Sequence, residues 1–245
     1  MLFPIKDYNP TRKPAVFTIF LIAVNVAVFF YQAFITDLNL HVAESAMIPW
    51  EIAHFRTIDK PIGYAVEYSE YGYREQKPVY RQKSPLLTLF TSMFMHGSIM
   101  HLLGNMLFLW IFGNNIEDYL GIPKFILFYL ICGVGASLTH VVFNLNSLVP
   151  VIGASGAVSG VMGAYLVLYP HARVRSLLFI FILVTFVDIP AFVFLIVWFV
   201  FQFLNLGGQG IAWLAHVGGF LIGLFLIKWW RDRSKPRTPT IEIIQ

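Results

Sequence analysis

Long apolar runs alternate along this chain with short polar segments, and the lengths of the runs are the first guide to structure. Crossing roughly 30 Å of hydrocarbon takes about 20 apolar residues in a helix. Residues 15–34 form such a run, uncharged and flanked by Arg12 and Lys13. A secretory signal has an apolar core of only about 7–15 residues, so this run reads as a retained first helix. A polar, tyrosine-rich stretch over about 36–87 follows, then apolar runs at 99–116, 125–143 and 149–169. The run 177–205 is too long for one span and is interrupted by Asp188-Ile189-Pro190. Its first half, 177–187, could lie at the interface while 191–206 spans. Residues 211–230 close the set. The pattern predicts an all-α protein with six transmembrane helices.

Composition supports lipid as the solvent. Of 245 residues, 58% are hydrophobic and 12% charged, against about 25% charged in a typical soluble chain. A soluble fold of this size buries only roughly 70–75% of its chain surface, too little to hide so much apolar area. Net charge is +4, but the basic residues sit at the ends of apolar runs and form no stripe suited to nucleic acid. Eleven of the 17 Lys and Arg residues fall on one side if both termini are cytoplasmic: Lys6, Arg12, Lys13, Lys124, Arg173, Arg175, Lys228, Arg231, Arg233, Lys235 and Arg237. The short outer loops 144–150 and 206–210 hold none. The excess of cytoplasmic Lys and Arg predicts an N-in, C-in protein with tails 1–14 and 231–245, a membrane domain 15–230 and an external first loop 36–87. Short tails and the lack of a targeting sequence suggest a bacterial plasma membrane. Cys132 is the single cysteine, which excludes an intramolecular disulfide and a cysteine metal cluster.

Polar groups inside hydrocarbon are costly and tend to mark function. The second helix carries His101 and Asn105, four apart on one face, with His96 just before it. His140 lies in the third helix, and Gly153-Ala154-Ser155-Gly156 opens the fourth. The fifth holds Asp188 and Gln202, and the sixth contains Ala215-His216-Val217-Gly218-Gly219. The second, fourth and sixth helices all descend from the outer face. Ser155 and His216 each lie about five residues below it, roughly 7–8 Å down, and Asn105 is near the same level.

A hydroxyl, an imidazole and an amide at one depth suit acyl transfer. Serine needs a base within hydrogen-bond reach, neutral imidazole is such a base, and the oxyanion needs fixed donors. The Ser155 N–H, the Asn105 amide and His101 are candidates. Glu117 and Asp118 lie roughly 18–20 Å deeper than Asn105, and Asp188 roughly 27 Å from the outer surface. Unless a first-loop acid folds inward, the pattern predicts a Ser–His dyad. Two rivals use the same residues. His96, His101 and His216 could bind a metal, although no His-Glu-x-x-His motif is present. Intramembrane His, Asp and Asn could also line an ion path, but the polar groups cluster near one face.

These segments also resemble a known family. His96-Gly97-Ser98-Ile99-Met100-His101-Leu102-Leu103-Gly104-Asn105, Gly153-Ala154-Ser155-Gly156 and Ala215-His216-Val217-Gly218-Gly219 are similar to the signature of rhomboid intramembrane serine proteases. The stretches from Asn105 to Trp110 and from Trp198 to Gln202 extend the likeness, which covers about 15–230. The resemblance implies a six-helix fold with Ser155 as nucleophile and His216 as general base. Asn105, His101 and the Ser155 backbone would be oxyanion donors, and His96 a structural hydrogen-bonder above the second helix. The fifth helix, with Trp198 and Gln202, would be a lateral gate for a substrate helix. No metal or cofactor is implied. Expected partners are the bilayer and single-pass membrane proteins, cut near the outer face where the helix unwinds at a small residue. Inactive relatives that bind membrane proteins usually lack the serine or the histidine. This chain keeps both, so a protease is expected, with a non-cleaving binder or chaperone as the alternative.

Small residues on the fourth helix (Ser155, Gly156, Ser159, Gly160, Gly163) and the sixth (Ala215, Gly219, Gly223) allow the close backbone approach the dyad requires. Gly219→Leu is expected to abolish turnover by separating these helices while both reactive side chains remain. A cleavage assay on this variant beside wild type checks it, and wild-type turnover would refute the packing argument.

Overall fold

A computed structural model describes residues 2–35, 38–68, 74–180, 183–204 and 212–234. Strand β1 (Leu2–Asp7) precedes α1 (Val16–Phe30), which ends in a π turn, Tyr31–Ile35. The first loop folds into α2 (Leu38–Ser45), α3 (Pro49–His54), the hairpin β2 (Gly63–Tyr68) and β3 (Arg74–Val79), and α4 (Pro85–Thr91). Then come α5 (Ile99–Leu120), α6 (Ile122–Val142), α7 (Ser155–Leu168), β4 (Arg173–Ile180), β5 (Leu183–Pro190), α8 (Ala191–Phe203) and α9 (Trp213–Ser234).

Among the described residues four helices are long and apolar enough to cross a membrane: Val16–Ile35, Ile99–Leu120, Ile122–Val142 and Trp213–Arg233. Outward-facing Phe20, Trp110, Val142 and Phe225 are each more than half exposed. Such an apolar belt is the surface lipid requires. This is an integral membrane protein.

Helix α1 has no side-chain cap of its own. Glu117 of α5 supplies one across the bundle. Its carboxylate accepts from Phe17 N (2.8 Å), Thr18 N (2.7 Å) and Thr18 Oγ1 (2.7 Å), satisfying donors that a helix start leaves unpaired. Ser98 caps α5 by accepting from His101 N at 3.2 Å, and Gly121 at φ 72° joins α5 to α6.

Helix α7 is the central element, with every residue from Gly156 to Tyr165 buried. It packs on α9 through glycines. A Cβ at Gly219 would collide with the carbonyl oxygen of Gly156, and one at Gly223 with that of Gly160. On another face, a Cβ at Gly156 would meet Ala136 Cβ of α6 at 2.6 Å. Phe112, Phe125, Phe128, Tyr129, Val161 and Tyr165 fill the core around this contact.

Two expected spans differ from the pattern. The fourth apolar run, 149–169, is helical only from Ser155. Pro150 and Gly153, whose φ is 121°, hold the preceding chain extended, so Ser155 begins the helix rather than lying a turn and a half inside it. The described residues of the run 177–187 are not helical: β4 and β5 pair antiparallel with Arg175 opposite Asp188 and Leu177 opposite Phe186. Its residues are largely β-branched and aromatic, Pro190 resists continuation into a helix from upstream, and β1 adds a third strand on β4. Apolar runs of this kind do not distinguish strand from helix by periodicity. Helix α8 therefore has 13 residues, about 20 Å at 1.5 Å per residue. The loop 206–210, the end of the run at Asn205 and the tail from Lys235 through Arg237 lie outside the described residues.

The first loop forms a brace against the segment before Ser155. Met47 N donates to Val151 O (3.0 Å) and Val151 N to Met47 O (2.8 Å), while Trp50 N reaches Ser147 O (3.0 Å). At its centre is a buried ion pair: Arg81 Nη2 lies 3.3 Å from Glu51 Oε2, with side-chain exposures of 1% and 0%. Arg81 Nη2 also donates to Ala46 O at 2.6 Å. Removing one partner of such a pair leaves an uncompensated buried charge, at about 3–5 kcal/mol. Arg81→Met is expected to lower the thermal unfolding midpoint in detergent, and the double variant Arg81→Met with Glu51→Met to recover most of the loss.

Candidate active site

The first turn of α7 opens onto a cavity of about 920 Å³ whose lining includes His101, Asn105, His140, Ser155, Trp198 and His216. His216, in the first turn of α9, places Nε2 2.8 Å from Ser155 Oγ. Its Nδ1 lies 2.9 Å from Gln202 Oε1 on α8. The donor and acceptor pattern sets the protons. Gln202 Nε2 donates to Trp198 O at 3.0 Å, one turn back in α8, so Oε1 is the atom facing the ring and must accept from Nδ1–H. Nε2 is then left as the acceptor for the Ser155 hydroxyl, the tautomer a general base requires.

Ser155 begins a helix, and the first N–H groups of a helix have no intrahelical acceptor. The helix dipole adds positive potential at the same point. Ser159 Oγ donates to Ser155 O at 2.6 Å, tying the second turn to the first. Asn105 is 8% exposed; one of its amide hydrogens goes to His101 O at 3.1 Å, leaving the other for the cavity. Gly153 makes the approach possible: a Cβ there would lie 2.8 Å from His101 Nε2 and 3.5 Å from Ser155 Oγ.

The structure brings Ser155, His216, Asn105, His101, Gly153, Gly156 and Gly219 to one region. His96 differs. Its backbone N–H reaches Gln32 Oε1 at 3.4 Å, but neither ring nitrogen has a hydrogen-bond partner among the described residues. The fully buried ring instead packs edge-on against His101, with centroids 5.0 Å apart. Asp188 stands exposed on β5, opposite Arg175, and Glu117 is used on α1. No Asp or Glu is among the described residues that line the cavity. Nor do His96, His101 and His216 form a ligand set: no group of three or more His, Cys, Asp or Glu among the described residues is arranged to hold a metal.

Gln202 is the functional candidate whose contact the sequence pattern missed. The available signal was a glutamine four residues after Trp198, near the end of an apolar helix.

A family model for the rhomboid domain matches residues 83–231, a stretch containing all of these groups. The chain belongs to the rhomboid family. It is 32% identical over 162 residues to "Rhomboid protein 1, mitochondrial" of Saccharomyces cerevisiae, covering 60% of this chain and 42% of that protein. It is 34% identical over 148 residues to "RHOMBOID-like protein 6, mitochondrial" of Arabidopsis thaliana, 56% of this chain and 41% of the relative. With "Rhomboid protease GluP" of Bacillus subtilis it shares 33% over 137 residues, 56% and 24% of the two chains. This chain thus spans well under half the length of these relatives.

Within the rhomboid domain, Gly153 is constrained both by its backbone conformation and by its neighbours. A non-glycine residue at its φ of 121° is strained by about 1–3 kcal/mol, and the new Cβ presses on His101. Gly153→Ala is expected to lower turnover by about tenfold or more while the protein still purifies as a folded species, as checked by cleavage rate and thermal unfolding in parallel.

Proposed function

We propose that this rhomboid-family chain is an intramembrane serine endopeptidase using a Ser155–His216 dyad. The observation that carries the reading is the 2.8 Å contact between His216 Nε2 and Ser155 Oγ at the mouth of α7, beside free backbone N–H groups. As Ser155 Oγ bonds to the scissile carbonyl carbon, its proton passes to His216 Nε2. The carbonyl oxygen becomes an oxyanion, met by the Ser155 N–H and the free Asn105 N–H, with His101 adjacent. Collapse breaks the C–N bond, and His216 delivers its proton to the leaving amine. Water then attacks the acyl-enzyme, His216 takes its proton, and Ser155 Oγ is released with a proton returned from His216.

The substrates we assign are single-pass membrane proteins that enter from the bilayer and are cut near the outer face. A helical peptide bond is engaged in backbone hydrogen bonds, so a locally unwound segment is the reactive form. We infer six crossings, with α7 and α8 as the short fourth and fifth, the membrane domain at 15–230 and both termini cytoplasmic. Supporting this orientation, Arg173 and Arg175 lie on β4, beside β1, while Arg231 donates to Val167 O at the far end of α7 from Ser155. Such basic residues mark the cytoplasmic side.

The test is cleavage of a transmembrane reporter in liposomes by wild type and Ser155→Ala, with and without chelator. Cleavage that survives chelator and disappears in Ser155→Ala is the expected result. Loss to chelator would point to metal chemistry. Cleavage by neither form, with no labelling of Ser155 by a serine-directed probe, would favour the non-cleaving binder.

A further inference from the structure

We propose that Gln202 of α8 is a positioning residue for His216, holding the imidazole in the Nδ1–H tautomer so that Nε2 faces Ser155. The proposal rests on the dyad reading for its catalytic consequence, but the tautomer itself is a property of the resting protein. A serine–histidine pair needs some acceptor on the far nitrogen of the ring; without one, the proton distributes between the two nitrogens and part of the population presents a donor to the serine. No carboxylate is among the described residues lining the cavity. The acceptor is instead a neutral carboxamide at 2.9 Å.

Gln202 is itself held in place. Its amide nitrogen is bonded to Trp198 O, which prevents a flip that would turn the NH2 group toward the ring and reverse the pattern. Trp198 also lies against the other side of the site, with ring centroids 6.1 Å from His216 and 6.1 Å from Phe220. The Trp198–Gln202 turn thus fixes both the tilt and the protonation pattern of the base. Among the described residues the remaining titratable groups on the cavity wall are His101 and His140, neither an anion that could take over the role.

The location adds a consequence. Helix α8 buries only Ala191, Phe194 and Leu195, all in its first half. Its second half meets α9 through ring contacts of Trp198, Phe199 and Phe203 and through Gln202. Displacing that half withdraws the acceptor from Nδ1, so the readiness of the base depends on where α8 stands.

Two measurements test the assignment. In protein labelled with 15N histidine, the His216 signals, identified by their absence in His216→Phe, should report Nδ1–H in wild type and a mixed or reversed tautomer in Gln202→Leu. In the cleavage assay, Gln202→Leu should lower kcat roughly 10- to 100-fold, the worth of one buried hydrogen bond, with KM within about twofold. Gln202→Glu, which keeps an acceptor, should restore most of kcat. It should also move the acid limb of kcat/KM to higher pH, because a carboxylate favours the protonated ring. An unchanged tautomer in Gln202→Leu, or wild-type kcat with an unshifted profile in both variants, would overturn the proposal. If wild type does not cleave at all, the protease reading fails while the nitrogen spectra still decide the role of Gln202.

Discussion

The site depends on how closely two backbones approach. Helices α7 and α9 meet where Gly156 and Gly160 face Gly219 and Gly223, with no room for a Cβ on α9 at either contact. In lipid the hydrophobic effect does not drive helices together, and small residues gain association from close van der Waals packing. That proximity lets a short serine side chain on one helix reach an imidazole on the other at 2.8 Å. Larger interfacial residues would hold the axes apart and leave a gap that neither side chain could span.

Around this contact, polar groups are paired by partners distant in sequence. Glu117 caps α1 from about 100 residues away. At the same end of the bundle Asp7 Oδ2 accepts from Tyr165 OH (2.6 Å) and Asn115 Nδ2 (2.8 Å). Burial nevertheless pushes the Asp7 carboxyl above its usual range, with the hydrogen bonds opposing that shift. Each pairing satisfies a buried or half-buried polar group and ties a helix to a distant segment. The first loop does comparable work at the other end. Its bridge from Met47 to Val151 and the bond from Gly153 N to Ser92 O (2.8 Å) hold the extended chain that delivers Ser155 to the start of α7.

Placing Ser155, the nucleophile of the proposed reaction, at a helix start has a chemical result beyond position. A serine inside a helix would offer an N–H already bonded to the preceding turn. The first residue of a helix has no intrahelical acceptor for its N–H, and the dipole of a well-buried helix turns its positive end toward the place where the proposed reaction would put the carbonyl. Pro150 and Gly153 create this start by stopping the helix from extending backward. The backbone break and the proposed oxyanion site are therefore the same feature.

Much of this was legible in the chain itself. Apolar run lengths marked α1, α5, α6 and α9 because an all-round apolar helix is dictated by lipid and needs no knowledge of neighbours. The intramembrane Asn105, Ser155 and His216 stood out because polar groups there are expensive, and the glycines of α7 and α9 indicated which helices touch. Other features depended on distant partners. By periodicity the run 177–187 reads equally as helix or strand, and the pairing of β4 with β5 and with β1 is seen only in the folded chain. His96 stood out as a polar group, but its bond to Gln32 Oε1 and its packing on His101 come from the tertiary arrangement. Gln202 was visible as one more polar residue on an apolar helix. Its meeting with His216 Nδ1 is set by the packing of α8 on α9. Sequence by itself determined which groups must avoid or seek lipid; which of them meet was decided by tertiary structure, because hydrogen bonds act over about 3 Å and only the packed bundle sets distances on that scale.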